Sequence, residues 1–430
     1  MSAVHPTVAL DLSRLALAPV RRTPRGIDRV ELAYARHYLH EWPGMCLPVL
    51  PMPWGVRCYA REKGIAFLDA VEALWRENVG HDDDPLYART KLFLAGAPSL
   101  THHTLKGVKP NLFEQTQGYL RFLAMTGFSW GRPVRSELPR GTVYLNVGQL
   151  EVFSPVLTWL ERRPDVRSVF MIHDLIPLEL PEHHLPIGIA LHHRIVRNTA
   201  RFARALIVPS AAVGEAVRAA LSPFGRGDIP VHVEHLAVAD AFLTPLPKDA
   251  ALAGLRYFVI CGAIDSYKNH LMLLRVWREL VARLGVRAPK LVIAGGPGVT
   301  SAEVLAYLRE ASDLRHHVML ASGLSTPALR QLMAGATALL MPSLAEGFGL
   351  PIVEALAQGT PVLASDIPAH REAGAGGDVT YLPAADDDRW TAAILAQNDA
   401  LGLCQAAKKY LQKNWAAYFR GIDRFLESAA

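Results

Sequence analysis

Short apolar stretches that alternate with helix-like segments are the feature that most limits how this 430-residue chain can fold. Such alternation is typical of doubly wound parallel sheets, in which each buried strand is followed by a helix. The pattern predicts an α/β protein. The predicted strands are 7–10, 142–147, 169–172 and 206–210 in the first half, and 257–261, 290–294, 318–320, 338–341 and 361–364 in the second half.

Length and composition favour two domains. Half of the residues are hydrophobic, and 430 residues exceed what one core usually supports. Proline, lysine, aspartate and alanine become frequent at 242–253, which indicates a linker between the halves. Residues 43–140 contain helical pieces and clusters of proline, histidine and glycine, and their fold is not predictable from these patterns.

A glycine-rich turn with two carboxylates runs into a helix in the second half. Glu346 and Glu354 flank Gly347, Gly349 and Pro351, and a proline in this position is typical of the first turn of a helix. The glycines let the main chain approach a ligand closely, and the free N–H groups of a helix start bind phosphates. Carboxylates would repel phosphates, so we expect them to accept hydrogen bonds from hydroxyl groups. A sugar nucleotide offers both partners.

The wider motif resembles a known family. The spacing Glu346-x7-Glu354, followed by Ser365, Asp366 and Glu372, is similar to the donor-site signature of glycosyltransferase family 4, whose members are retaining enzymes of the GT-B fold. The resemblance implies two Rossmann-like domains whose parallel sheets face each other across a cleft. It implies an acceptor-side domain over 1–245, a nucleotide-sugar domain over 246–405, and a final helix over 406–430 that crosses back to the first domain.

The resemblance also implies roles for individual residues. Glu346 would contact the hydroxyls of the donor sugar, and Glu354 would contact the ribose of the nucleotide. The backbone of Phe348, Gly349 and Leu350 would contact the sugar or the diphosphate. Two isolated solvated glutamates are the alternative, and the surrounding glycine and proline pattern disfavours it.

A second loop follows the strand at 257–261. Gly262 allows a turn there, and Lys268 can reach a phosphate as a compact positive charge. Family members often carry an arginine where this chain has Ala263, so Lys268 becomes the main expected cation unless another arginine substitutes. The glycines of 294–298 fit a turn beside Ser322, near the nucleotide base.

The first half contributes two candidates. His173 follows the strand at 169–172 and so lies at the carboxyl edge of a parallel sheet, where such folds bind ligands. It resembles the family's histidine in the cleft between the domains, although most single histidines are structural. Asp174 would orient this histidine or its loop. Gly26 opens a helix whose start could face the diphosphate, although a helix start without a ligand is equally possible.

No pattern predicts a cofactor or a protein-bound metal. The Asp82–Asp84 run imitates a metal motif but lacks a preceding strand, so we interpret it as a helix-capping loop. The cysteines contain no CxxC pair, and His183, His184, His192 and His193 are interpreted as a polar helix face. The cysteines are Cys46, Cys58, Cys261 and Cys404.

The charge balance disfavours nucleic acid as a partner. The formal charge of +5 is mild and suits an acidic ligand or anionic lipid. Arg194, Arg197, Arg201 and Arg204 predict one basic helical stripe, which is either a solvated face or a surface for lipid. The chain starts without a signal-peptide pattern and has no apolar run of about 18 residues, which predicts a cytoplasmic protein whose membrane contact is peripheral, at the inner face of the plasma membrane.

The function implied by the resemblance is hexose transfer with retention of configuration. The stretch 173–182 resembles bacterial O-antigen and capsule mannosyltransferases, so the expected donor is GDP-mannose, with a UDP-hexose as the alternative. The expected acceptor is a glycan or a polyprenol-diphosphate-linked glycan. A non-catalytic GT-B scaffold is the alternative of another class. A nicotinamide enzyme is disfavoured because no GxGxxG follows the first strand.

Overall fold

The computed structural model describes residues 5–20, 24–52, 54–75, 80–99, 117, 120–122, 124–127, 130–149, 154–243, 247–399 and 413–428. The predicted domain boundaries near 245 and 405 lie outside these residues, so they stay predictions. Cys404 also lies outside the described residues. The other three cysteines are buried and free of disulfides.

The first sheet contains eight strands within the described residues, in the order β4-β3-β2-β1-β5-β6-β7-β8. The β2–β3 and β3–β4 pairs are antiparallel, and the other pairs are parallel. The strands are β1 Val8–Asp11, β2 Cys46–Met52, β3 Gly55–Cys58, β4 Arg132–Pro133, β5 Val143–Asn146, β6 Arg167–Met171, β7 Ala205–Val208 and β8 Val231–Val233.

The second sheet contains six strands in the described part of the chain, all paired in parallel, in the order β11-β10-β9-β12-β13-β14. This is the doubly wound order, and it reverses between β9 and β12, where ligands of such sheets bind. The strands are β9 Tyr257–Cys261, β10 Lys290–Ala294, β11 Val318–Ala321, β12 Ala338–Met341, β13 Val362–Ser365 and β14 Val379–Leu382.

Helices cover both sheets and follow most strands. In chain order they are α1 Gly26–Arg36, α2 Arg61–Trp75, α3 Pro85–Leu94, α4 Val134–Glu137, α5 Ser154–Arg162, α6 Ile176–Glu179, α7 Pro186–Phe202, α8 Ala211–Leu221, α9 Asp240–Leu243, α10 His270–Leu284, α11 Ala302–Glu310, α12 Thr326–Gly335, α13 Leu350–Ala357, α14 Pro368–Ala373, α15 Asp387–Asp399 and α16 Trp415–Ser428.

Both sheets are buried on both faces, which is why their parallel strands read as continuous apolar runs. Along β6, Val169 and Met171 join one apolar cluster while Phe170 joins another, as the two-residue period of a strand requires. The first of these clusters continues without a break into the second sheet through Val259 and Val292. The two sheets therefore share apolar packing, and the GT-B fold expected from the sequence is confirmed.

The helix α16 packs against the start of the chain. The Tyr418 hydroxyl lies 2.8 Å from the Tyr34 hydroxyl of α1, and the carboxylate of Asp423 accepts a 3.0 Å hydrogen bond from the Tyr38 hydroxyl. His5 pairs with Glu427 at 2.8 Å. The last described helix thus lies on the first sheet's side of the molecule.

Residues 80–99 come from the first half but lie against the second sheet. The carboxylate of Asp84 accepts hydrogen bonds from the N–H groups of Leu86 and Tyr87, which caps α3, and also from Ser325 N–H at 2.7 Å. Lys91 pairs with Asp249 at 3.2 Å. The capping role predicted for this acidic run is confirmed.

The predicted strands are all present, with ends shifted by at most two residues. One prediction about the arginines is wrong: α7 ends at Phe202, so Arg204 lies in the turn before β7 and outside the helical stripe. Within the described residues, no helix has the length and apolar character needed to cross a membrane.

Candidate active site

The turn between β12 and α13 carries the first carboxylate. Glu346 forms an ion pair with Lys268 and accepts a 2.8 Å hydrogen bond from the Ser343 hydroxyl. Burial raises the pKa of the Glu346 carboxyl, but Lys268, His370 and these hydrogen bonds together hold the pKa below its usual value. Glu346 is therefore an anion at neutral pH and accepts hydrogen bonds only.

The turn ends where the helix begins. Gly349 has a φ of 104°, a conformation that side chains rarely adopt, and it precedes Leu350, the first residue of α13. Phe348 is buried, with its ring 5.5 Å from the ring of His235, so its side chain is not available to a ligand, and a contact through its backbone stays a prediction. Pro351 has no N–H group, and the Ile352 N–H donates a 2.9 Å hydrogen bond to the Gly349 carbonyl, so this helix start acts on a ligand mainly through the positive end of its dipole.

The loop after β9 brings Lys268 to Glu346. Gly262 has a φ of 135°, and a Cβ on it would meet open space. The carbonyl oxygen of Gly262 packs so closely on Gly295 that no Cβ fits on Gly295. A Cβ on Gly296 would lie 3.0 Å from the Ser322 hydroxyl. The predicted turn at 294–298 therefore lies beside Ser322, next to the switch point of the second sheet.

The opposite wall of the cleft is the start of α1. A Cβ on Gly26 would lie 3.7 Å from a methyl group of Leu350, so the N-termini of α1 and α13 converge. Helix N-termini attract anions, and two that meet reinforce each other. The two helix starts therefore meet, and the binding of a diphosphate at Gly26 stays a prediction.

Arg29 of α1 reaches across to the second carboxylate. Its guanidinium lies 3.2 Å from Glu354 and 3.4 Å from the Thr326 hydroxyl, and its Nε is buried with no hydrogen-bond partner. Burial raises the pKa of Glu354, and Arg29 opposes that rise. Sequence reasoning did not identify Arg29, because its pairing depends on contacts between distant parts of the chain.

His173 lies on the same edge, directly after β6. Its Nε2 donates a 2.7 Å hydrogen bond to the Val147 carbonyl, and burial lowers its pKa to about 4. The ring is therefore neutral at pH 7, with the proton on Nε2 and a lone pair on Nδ1. Its carbonyl oxygen packs directly on Gly347, and no Cβ fits between them.

Gln149 clamps the backbone of this histidine. Its side-chain oxygen accepts hydrogen bonds from the N–H groups of His173 and Asp174, and its amide donates a 2.8 Å hydrogen bond to the Asp174 carbonyl. Its own φ of 47° is unusual for a residue other than glycine and marks local strain. No sequence pattern signals such a clamp.

Two of the histidines interpreted as a helix face lie elsewhere. His183 and His184 precede α7 and contact the loop that carries Lys268: His183 lies 3.2 Å from the Ser266 hydroxyl, and His184 stacks on Tyr267 at 5.4 Å. That interpretation holds only for His192 and His193. Across the described residues, no group of three or more His, Cys, Asp or Glu side chains could hold a metal ion.

The cleft thus combines two carboxylates, two cations and two helix starts. The helix starts and Lys268 suit a diphosphate, and the carboxylates suit hydroxyl groups. Residues 247–397 match the family model described as glycosyl transferases group 1. The domain built on the second sheet is therefore similar to the group 1 glycosyltransferases over 247–397. This domain contains both carboxylates, Lys268 and the turn beside Ser322.

Known proteins resemble the chain over different lengths. The serotype-specific mannosyltransferase WbdA of Escherichia coli is 31% identical over 219 residues, which are 48% of this chain and 26% of WbdA. The O-antigen chain mannosyltransferase RfbU of Salmonella typhimurium is 39% identical over 82 residues, 19% of this chain and 23% of RfbU. The chain thus spans about a quarter of the length of these relatives. The sucrose-phosphate synthase structure from Thermosynechococcus elongatus has a TM-score of 0.55 at 15% identity, covering 99% of this chain and 94% of that one.

The low pKa of His173 predicts acid sensitivity. The unfolded chain binds a proton near pH 6.5 and the folded protein only near pH 4, so stability is complete above pH 6.5 and declines as the pH falls through this window. The decline due to His173 should reach ~3 kcal/mol at pH 4. As the pH falls, we expect the free energy of unfolding, measured in urea, to decrease less steeply in His173→Gln than in the unaltered protein. Equal pH slopes in the two proteins would contradict a buried neutral histidine.

Proposed function

We propose that this protein is a retaining glycosyltransferase that moves a hexose from a nucleoside diphosphate sugar to a hydroxyl of a glycan or lipid-linked acceptor. The observation that carries the proposal is the Glu346–Lys268 pair beside the converging starts of α1 and α13. A cation and two helix ends stabilise the charge that develops on a departing diphosphate. The neighbouring carboxylate accepts hydrogen bonds from the hydroxyls of the sugar. GDP-mannose is the first candidate donor, supported by the similarity to WbdA and RfbU.

The reaction follows from the groups in the cleft. The bond from the anomeric carbon to the diphosphate oxygen breaks, and the acceptor oxygen forms a new bond to the same face of that carbon. The proton of the acceptor hydroxyl passes to the departing diphosphate. The neutral ring of His173 has a free lone pair on Nδ1, which suits a donor-sugar hydroxyl. Glu354 binds the ribose hydroxyls once Arg29 turns from it towards the phosphates. The acceptor then occupies the side of the first sheet.

A panel of sugar nucleotides tests the proposal. We expect nucleotide release from GDP-mannose, and slower or no release from UDP-glucose and other UDP-hexoses. The reverse preference would make the UDP-hexose alternative correct. Tight nucleotide binding without any release, with acceptors present, would favour the non-catalytic scaffold, and the absence of both would overturn the proposal.

Transfer should not require a protein-bound metal. Asp82 and Asp83 lie in a short helical turn beside α3, and the Asp84 carboxylate is occupied by three backbone N–H groups. We therefore expect the transfer rate to stay within about twofold after treatment with EDTA, since Lys268 and the helix ends supply the positive charge. Complete loss on chelation, with recovery on adding manganese, would contradict this expectation.

The exposed face of α7 predicts binding to anionic membrane. Arg194, Arg197 and Arg201 are exposed there, Arg201 lies 2.8 Å from Glu161, and Ile187 on the same helix is 77% exposed. Each cation near an anionic surface contributes ~1 kcal/mol, and salt screens it. We expect the protein to sediment with phosphatidylserine vesicles at low salt and not at high salt.

Reversing two charges on α7 tests whether binding to vesicles depends on this helix face or on the net charge of the protein. Arg197→Glu combined with Arg201→Glu should abolish sedimentation and leave nucleotide-sugar hydrolysis unchanged. The control pair Arg287→Glu and Arg309→Glu makes the same charge change at exposed positions of the other domain and should still sediment. Equal binding to neutral and anionic vesicles, or none to either, would leave the stripe a solvated helix face and favour a water-soluble acceptor.

A further inference from the structure

A cavity of about 370 Å³ lies at the outer edge of the first sheet, apart from the cleft. It is lined by the start of β2, the end of β3, the start of α2 and the strand β4, and its lining includes Tyr59, Lys63, Trp130, Arg132 and Glu137. Its volume falls within the range of roughly 300–1,000 Å³ typical of small-molecule sites. Nothing in the proposed transfer at Glu346 uses it.

The lining is mostly apolar but carries both signs of charge. Lys63 and Arg132 contribute cations, and Glu137 contributes a carboxylate. Tyr59 is only 7% exposed, and its buried hydroxyl has no hydrogen-bond partner. Buried hydroxyls are normally paired, so an unpaired one in the wall of a cavity indicates a ligand that supplies the missing partner. Arg132 and Glu137 lie 3.4 Å apart as an ion pair, so their charges offset each other, and a neutral ligand rich in hydroxyl groups suits this lining.

Two tryptophan rings form an aromatic surface at the mouth of this cavity. Trp54 and Trp130 are 50% and 60% exposed, with ring centroids 5.3 Å apart and planes tilted by 60°. Indole rings combine a large apolar face with a polar edge, which suits ligands that are apolar on one side and polar on the other. A pyranose ring has this character, because its C–H groups line one face and its hydroxyls project from its rim.

The strand order relates this surface to the cleft. The strands β1 and β2 are parallel neighbours, so their carboxyl ends meet at one edge of the sheet. Trp54 lies two residues beyond the end of β2, and the loop that leads from β1 to Gly26 leaves from the same edge. A chain of sugars that leaves the acceptor side of the cleft along this edge reaches Trp54 first, and the cavity lies further on, beside Trp130 and towards the start of β2.

From these observations we infer that Trp54, Trp130 and the Tyr59 cavity form a second binding site for a neutral oligosaccharide, which holds the acceptor chain away from its reacting end. The inference rests on the proposed function only in naming the acceptor chain as the ligand. Binding itself requires neither a donor nor turnover. The site and the transfer reaction can therefore fail separately.

Direct binding of oligosaccharides tests the site. The full chain, without nucleotide, is titrated by calorimetry with an α-linked mannotetraose, with maltotetraose and cellotetraose, and with free mannose. We expect saturable binding of at least one tetrasaccharide, at least tenfold weaker binding in Trp54→Ala combined with Trp130→Ala, and about threefold weaker binding in Tyr59→Phe. The control Phe224→Ala removes an aromatic side chain that is 47% exposed elsewhere and should bind as the unaltered protein does.

Kinetics and oligomeric state complete the test. In the tryptophan double variant, KM for a long acceptor should rise about tenfold while kcat and the KM for a short acceptor stay unchanged. Absence of saturable binding to every tetrasaccharide, or equal binding in the double variant, would overturn the inference. A dimer that dissociates in the double variant would also overturn it, because the surface would then join two copies of the chain. Normal glycan binding without nucleotide release from any donor would overturn the proposed transfer and leave the site in place.

Discussion

Replacing Glu346 by glutamine is expected to lower the rate of sugar transfer by about 10- to 100-fold, since a charge-assisted hydrogen bond contributes ~1.5–3 kcal/mol. Among the described residues, Glu346 forms the one salt bridge of Lys268, and glutamine keeps the shape of this side chain while removing its charge. Lys268 is then free to bind phosphate, so the affinity for GDP or UDP should be unchanged or higher. Transfer is measured as nucleotide release, and nucleotide affinity by calorimetry.

The comparison with an exposed glutamate isolates the effect of the site. Glu310→Gln removes the same charge at an exposed position at the end of α11 and should leave both readouts unchanged. If Glu346→Gln transfers sugar at the rate of the unaltered protein, Glu346 does not contact the donor. A parallel loss of nucleotide affinity and of the unfolding transition would instead assign Glu346 a structural role.

Replacing Gly347 by alanine is expected to lower transfer by about 100-fold. A Cβ at this position would collide with the His173 carbonyl oxygen, and that oxygen belongs to backbone that Gln149 holds in place. The turn must move away, and a displacement of about 1 Å at a reacting site can cost ~100-fold in rate. The Ser210 hydroxyl, which donates a 2.7 Å hydrogen bond to the Gly347 carbonyl, would lose this contact as well.

A glycine in open space provides the control for this substitution. A Cβ on Gly227 would meet no atom within 4 Å, so Gly227→Ala should leave transfer unchanged. Overpacking of this kind typically costs ~1–3 kcal/mol, and the unfolding midpoint in urea will report whether the Gly347→Ala protein remains folded. A transfer rate within threefold of the unaltered protein would show that the approach of His173 to this turn is not needed.

Several elements could be predicted because their causes are local. The strands at 257–261, 290–294 and 338–341 were predicted to the residue, since a buried parallel strand is a short apolar run bounded by turns. The start of α13 followed from Gly349 and Pro351, whose backbone preferences act within one turn of chain.

Other strands were missed for reasons that are also local. The strand β2 contains Pro48 and Pro51, which argue against an interior strand because proline cannot donate to the ladder. The strands β4 and β8 have two and three residues, which are too few to show an alternation of apolar and polar side chains. The strand β14 is half-exposed at the edge of the second sheet, so it lacks a continuous apolar run. The glycine-rich turn before it also predicts a loop.

The pairs that shape the site depend on residues far apart in the chain. Arg29 meets Glu354 across 325 positions, and Lys268 meets Glu346 across 78. Neither pair could be predicted from spacing, because both depend on how the edges of two sheets face each other. The docking of 80–99 on the second sheet through Asp84 and Ser325 has the same origin.

The sequence by itself determined the α/β class, most of the described strands and the turn that carries Glu346 and Gly347, because apolar periodicity and turn chemistry act over a few residues. Tertiary structure alone decided which charges are paired, that His173 is buried and neutral, and that Gln149 adopts a strained backbone to hold it. These properties depend on burial and on contacts between the two sheets. Local patterns carry no information about such contacts, since their energy arises only when distant segments exclude water together.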